Sequence, residues 1–323
     1  MGRKEGFATM GKSQDAKGHD TTSDTASFSA RLADWRARGE RRELAGHRVF
    51  VHQAGDWSDA TRPTLTLIHG FPTSSWDWHR LWPELEPRFR LLALDLLGYG
   101  FSDKPVDHHY SIAEQADIVA ALWRDLGLFQ SHVLAHDYGD TVTQELLARQ
   151  QDEASSATRI ASIALLNGGV FPEAQRIRPI QRMLAGPMGA IVAGLLGPGR
   201  FRRSFESVFA PGTRPSDVEL DEFWALISQK GGQRIAHRLI RYLHERKQNR
   251  ARWVGALQKS PVPQCFIVGM ADPVSGKEMA ARYRELVPQA EVIGLDNVGH
   301  YPQLEAPRAT LDALKAFWDR IGA

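Results

Sequence analysis

Four short runs along this chain are almost wholly apolar: Thr64–Ile68, Leu91–Leu94, His132–Ala135 and Ile160–Leu166. A strand apolar at nearly every position is buried on both faces, which is the mark of a mostly parallel sheet covered by helices on either side. His47–Gln53 alternates instead, as an antiparallel strand with one solvated face does. Helical patterns fill the gaps. Ser111–Leu126 opens on a serine cap with Glu114 at the capping-box position, and Thr141–Gln150 follows His132–Ala135. Gln264–Val268 reads as a strand, Lys277–Leu286 as a helix, Glu291–Leu295 as a strand and Thr310–Ile321 as an amphipathic closing helix. Between Pro172 and Gly255 the texture is helical and strand signals vanish, so this stretch reads as an insertion above the sheet. The expected organisation is a polar leader over residues 1–27, an α/β core over 28–171 and 256–323, and a helical cap over 172–255. A short amphipathic helix is expected within Ala26–Arg38.

The chemistry concentrates where strands end. Ala135-His136-Asp137-Tyr138-Gly139 lies at a strand-to-helix junction, with small residues two places before and after Asp137. A sharp elbow needs that relief from crowding. The usual elbow carries Ser in G-x-S-x-G, a pattern absent from this sequence. A carboxylate at the apex is a nucleophile of another kind: it can displace a leaving group from saturated carbon and form an ester that water then cleaves. The competing reading of Asp137 is a helix cap. His69-Gly70-Phe71-Pro72 ends the preceding strand in the parallel series, and the N–H groups of Phe71 and Tyr138 can converge as an oxyanion hole. His300, after the last strand, is the candidate general base, and Asp272, after the strand before it, the acid that orients it. The order nucleophile, acid, His is that of a strand-elbow triad.

These residues resemble the α/β-hydrolase superfamily, in the branch with an aspartate nucleophile that contains epoxide hydrolases and haloalkane dehalogenases. The resemblance runs from about His47 to the C-terminus. It implies the α/β-hydrolase fold, with a helical cap inserted after the sixth strand. Asn167-Gly168-Gly169-Val170-Phe171-Pro172-Glu173, Arg252-Trp253-Val254-Gly255-Ala256-Leu257 and His300-Tyr301-Pro302-Gln303-Leu304-Glu305 look like hydrolases of the mesoderm-specific transcript type. The resemblance implies a cofactor-independent hydrolase, with epoxide hydrolysis first, dehalogenation second, and a non-catalytic binding member of the fold as the rival from another class. Dehalogenases of this branch place Trp after the nucleophile and often Asn in the third position of H-G-x-P, where this chain has Tyr138 and Phe71. Epoxide hydrolases present two cap tyrosines; the segment 172–255 has one, Tyr242, which is the expected proton donor. His69, Trp76, His136, Asn167 and Trp253, in or close to the same motifs, are expected to contact substrate.

Composition excludes other classes. A formal net charge of +2 is too balanced to imply nucleic-acid binding. It is an average, because 172–255 holds 15 Lys and Arg against 7 Asp and Glu. A basic cap suits a solvated face, an anionic substrate or contact with an anionic membrane surface. No apolar stretch has the ~18 residues of a membrane span. The single Cys265, in an expected buried strand, fits a reducing, cytoplasmic setting. No phosphate-binding glycine loop or dinucleotide fingerprint occurs, so no cofactor is expected. His108 and His109 have no neighbour at metal-ligand spacing and read as surface-loop residues, so no metal is expected either.

Overall fold

In the computed structural model, residue 2 and residues 28–152 and 158–323 are described. The expected leader lies almost wholly outside them. Eight strands form one sheet: β1 (Glu40–Leu44), β2 (His47–Ala54), β3 (Thr64–Ile68), β4 (Arg90–Leu94), β5 (Gln130–His136), β6 (Arg159–Leu166), β7 (Gln264–Gly269) and β8 (Glu291–Leu295). Their order is β1-β2-β4-β3-β5-β6-β7-β8. The pairs β1–β2 and β2–β4 are antiparallel, and from β4 to β8 every pair is parallel.

The apolar runs are apolar throughout because they feed two cores. Ile68, Leu92 and Leu94 face one side with Val133 and Leu165, while Leu65, Leu67, Leu91, Ala93 and Leu134 face the other. Helices Ile112–Asp125 and Tyr138–Asp152 cover the first face, and Pro307–Ile321 packs Leu314 and Trp318 against the second. β1 escapes sequence reading because its residues, Glu-Arg-Arg-Glu-Leu, are charged. Charge is what an edge strand uses to discourage further pairing, and only Leu44 of this strand is buried.

The expected N-terminal helix is Ala30–Arg38, capped by Ser29 and burying Leu32 and Trp35. Helices alone fill the described chain between β6 and β7. The cap boundary expected at 255 falls inside helix Arg250–Lys259. That helix lies along the core: Trp253 Nε1 donates to Glu145 Oε2 at 2.7 Å, and Gln151 donates to the Ala256 carbonyl at 2.7 Å. No helix of the described residues is long and apolar enough to cross a membrane.

Candidate active site

Asp137 follows the last residue of β5 and precedes helix Tyr138–Asp152, with φ at +46°. Such a conformation costs a non-glycine residue ~1–3 kcal/mol and persists only where surroundings impose it. Two main-chain bonds do so. The Asp137 N–H donates to the Leu166 carbonyl at 3.1 Å, and the Asp137 carbonyl accepts Arg246 Nη2 at 2.8 Å. Gly139 must be glycine, since a Cβ there would stand 2.8 Å from the His69 carbonyl. The elbow is thus locked by main-chain contact on both sides.

The Phe71 N–H points at Asp137 Oδ2 from 3.3 Å, and the peptide Phe71–Pro72 is cis. Tyr138 opens a helix, so its N–H has no intrahelical partner and is free to serve an oxyanion. His300 Nδ1 is 2.8 Å from Asp272 Oδ2. Asp272 also accepts from the Val274 and Ser275 N–H groups and from Asn167 Nδ2 at 2.8 Å. Burial pushes the Asp272 carboxyl up, but the His300 charge and these donors outweigh it and hold it below the usual range. For His300, burial works downward, and the charge and hydrogen bond of Asp272 together with the charge of Asp137 raise it to about 9. His300 is therefore an imidazolium at rest.

That rise makes a stability prediction. A group raised from 6.5 to about 9 on folding adds stability that is complete below pH ~6.5 and disappears as pH climbs through 9. The span is worth about 3 kcal/mol. Lys104, pulled down from 10.5 to about 7 by burial, acts in the opposite sense over an overlapping range that extends to higher pH. The clean measurement is the difference in urea stability between wild type and His300→Gln, which should be largest at pH 6 and shrink at pH 9.5. A constant difference would show that His300 does not carry this charge.

Asp137 and His300 line one cavity of about 120 Å³, close to the ~150 Å³ that accommodates benzene in an engineered core. Phe71 and Tyr301 complete its floor. Its roof comes from the insertion, chiefly Ile180, Leu184, Leu196, Phe201, Phe205 and Trp224, with Arg178, Gln181, Ser204 and Gln233 as polar points. A larger groove of about 770 Å³, lined by His109, Arg182, Arg241 and Lys247, holds neither Asp137 nor His300.

Several expected substrate contacts lie elsewhere, each for a stated reason. His69 is fully buried, its Nε2 accepting the Leu96 N–H at 3.0 Å and its Nδ1 set 2.8 Å from the Gly70 carbonyl, so both nitrogens are spent on the main chain. His136 is held neutral by burial, its pKa near 3, and Nε2 donates to the His300 carbonyl at 2.8 Å. It positions the His300 loop. Asn167 braces Asp272, accepting the Gly269 N–H at 2.8 Å through its other end. Trp76 stacks on His79 at 4.3 Å beneath Trp35. Trp253 is held by Glu145 in the helix-to-core contact. None of the five lines the cavity. Glu114, expected to close a capping box, only donates its N–H to Ser111 Oγ, while its carboxylate turns to His47 and His108.

Tyr242 is buried beside the site but not in the cavity wall. Its ring lies 4.9 Å from that of Tyr138 and 5.9 Å from that of Phe71, away from the cavity wall. Arg246, four residues on, stacks 4.5 Å over it. This arginine is 1% exposed. Besides the Asp137 carbonyl it reaches Thr141 Oγ1 at 2.7 Å and Asp137 Oδ1 at 3.4 Å. One buried guanidinium among fifteen basic residues gives no sequence signal beyond its i, i+4 spacing from Tyr242. Removing one partner of a buried pair costs ~3–5 kcal/mol. Arg246→Met should therefore lower stability by about 3 kcal/mol in urea unfolding and slow turnover as the elbow relaxes; stability within 1 kcal/mol of wild type would deny Arg246 this role. Asp140 is buried one turn along the helix, and burial raises its carboxyl well above the usual range. A Cβ on Gly168 would stand 2.7 Å from the Asp140 Cβ, which fixes glycine there.

A mostly parallel sheet, an elbow beyond its fifth strand and a histidine beyond its last define an α/β hydrolase. The chain belongs to that family: residues 63–307 match the description alpha/beta hydrolase fold. It is 43% identical to the human mesoderm-specific transcript homolog protein over 297 residues, covering 90% of this chain and 88% of that one. Among solved structures, haloalkane dehalogenase DbeA from Bradyrhizobium elkanii superposes with a TM-score of 0.74 at 23% identity, covering 88% of this chain and 98% of that one. Epoxide hydrolase CorEH gives 0.71 at 20%, covering 88% and 99%. Two chemistries on one fold leave the reaction to be argued from the site.

Proposed function

We propose that this hydrolase opens a compact, apolar epoxide through a covalent ester on Asp137. The observation that carries the reading is the shared cavity floor: Asp137 with Oδ2 facing the Phe71 N–H, and His300 braced by Asp272 at 2.8 Å. An Asp137 oxygen attacks the less hindered epoxide carbon, and the C–O electron pair moves to the epoxide oxygen. That oxygen takes a proton from a tyrosine, which recovers one from the His300 imidazolium. Esterification also removes the Asp137 charge, one of the groups holding that proton on His300. The neutral imidazole then takes a proton from water as the water oxygen bonds to the ester carbon. The N–H groups of Phe71 and Tyr138 stabilise the oxyanion. Collapse expels the diol, which regains its proton from His300, and the Asp137 carboxyl returns its own proton to His300.

Two buried tyrosines are kept protonated by burial near Asp137, Tyr301 and Tyr242. Only Tyr301 lines the cavity, so the donor role assigned to Tyr242 from sequence passes to Tyr301. Tyr301→Phe should slow epoxide opening by ~10²-fold, and Tyr242→Phe by less than about threefold; the reverse ranking returns the role to Tyr242. A panel of small epoxides and haloalkanes tests the reaction class. Diol formation with no halide release supports the proposal, halide release favours dehalogenation, and no turnover with no adduct on Asp137 favours a binding protein.

The insertion also fits an anionic membrane surface. Met183, Met188, Ile191 and Leu195 are each more than half exposed, and Arg200 and Arg203 border the same groove as Met183 and Leu195. Juxtaposed apolar and cationic side chains bind anionic bilayers, each arginine adding ~1 kcal/mol. Sedimentation with phosphatidylserine vesicles, absent with phosphatidylcholine and weakened about tenfold or more in Arg200→Ser/Arg203→Ser, is the expected result. Equal binding to both vesicles, or to neither, ends the idea.

A further inference from the structure

The geometry points to a divalent transition-metal site, best suited to Zn²⁺, formed by His47, His108 and Glu114 at the edge of the sheet, none of which lines the cavity. The three residues come from separate elements: the start of β2, the loop after β4, and the first turn of helix Ile112–Asp125. Their ligating atoms all lie within 4.8 Å of one another. His47 Nε2 is 3.1 Å from Glu114 Oε1, and His108 Nε2 is 2.8 and 2.9 Å from the two carboxylate oxygens. Ligands 2.0–2.1 Å from a tetrahedral ion stand ~3.3 Å apart. The two histidine–carboxylate separations are already near that spacing, and the ligand atoms all lie within 4.8 Å. Two imidazoles and a carboxylate form a three-ligand zinc set with its fourth position open to water. All three side chains are about one-fifth exposed, which leaves an entry path.

Glu114 shows a preference for this arrangement. It stands at the capping-box position, where its carboxylate would ordinarily reach back to the Ser111 N–H. It instead faces both histidines. Without an ion, both Nε2 atoms must carry a proton and donate to one carboxylate; an ion would replace both protons. The spacing within the sequence concealed the site, because His47 and Glu114 are brought to His108 only by the fold. The ion would also tighten the seat of the helical insertion. Arg238 of that insertion pairs with Asp107 at 2.8 Å, and Glu245 accepts the Ile112 N–H at 3.1 Å, on either side of His108 and beside Glu114.

The test is calorimetric titration of the full chain with Zn²⁺ alone, together with the Co²⁺ absorption spectrum. The expected result is one saturable site, a tetrahedral Co²⁺ band and a higher melting temperature on loading. His108→Ala and Glu114→Gln should each weaken binding ~100-fold, whereas His109→Ala, at the exposed neighbour, and His300→Gln should leave it unchanged. If His108→Ala fails to fold, the near-isosteric Glu114→Gln decides. Absence of saturable binding, equal affinity in Glu114→Gln and wild type, or loss of binding in His300→Gln would overturn the assignment.

Discussion

Asp137→Asn should abolish turnover of any accepted epoxide, by at least ~10⁴-fold. A neutral amide is a poor nucleophile toward carbon, and no neighbouring carboxylate can replace the anion. Asp272 is occupied by His300, Asn167 and Ser275. Asp140 is fully buried, with its carboxyl raised well above the usual range, and does not line the cavity. Losing a nucleophile costs far more than losing an orienting group in enzymes that work through covalent intermediates. The fold should survive at reduced stability: Arg246 loses its carboxylate partner at 3.4 Å but keeps its bond to the Asp137 main-chain carbonyl. Steady-state kinetics beside a circular dichroism melt check both halves. A correctly folded Asp137→Asn within tenfold of wild type would exclude the covalent route.

The second large effect is a split between the two chemical steps. His300→Gln should leave alkylation of Asp137 measurable while slowing ester hydrolysis by ~10³-fold or more, so the ester accumulates. Glutamine fits the site but cannot accept the proton that water must lose. Intact-mass spectrometry after incubation should show the protein heavier by one epoxide, and peptide mapping should place it on Asp137. A tyrosine whose proton is not returned by His300 also slows opening somewhat, so the trapped fraction should grow over minutes rather than within mixing time. An accepted substrate that leaves no adduct would remove His300 from the role of base.

Much of this was legible in the sequence because strands and elbows have strong local signals. The buried parallel strands announce themselves by apolar runs, and Asp137 by small neighbours at a strand-to-helix junction. His300 and Asp272 follow from chain order. Side chains whose role depends on which surface they meet were not legible. Trp76, Trp253 and His69 sit in or near the motifs but spend their polar atoms or rings on packing. Arg246 and Tyr301 face the nucleophile because helix Tyr242–Gln248 docks on the elbow and the His300 loop turns inward. Docking of that kind is set by tertiary contact and leaves no period in the sequence. The same holds for His47, His108 and Glu114, which are unremarkable until the sheet edge gathers them.

The most direct test of the covalent mechanism is a single turnover in ¹⁸O-labelled water with enzyme in excess over epoxide. Water attacks the ester carbon rather than the substrate carbon. The diol from that turnover should carry only unlabelled oxygen, and the Asp137 peptide should gain one heavy oxygen, two mass units. Label in the diol with Asp137 unchanged would mean direct attack of water on the epoxide, and would contradict the nucleophilic role of Asp137.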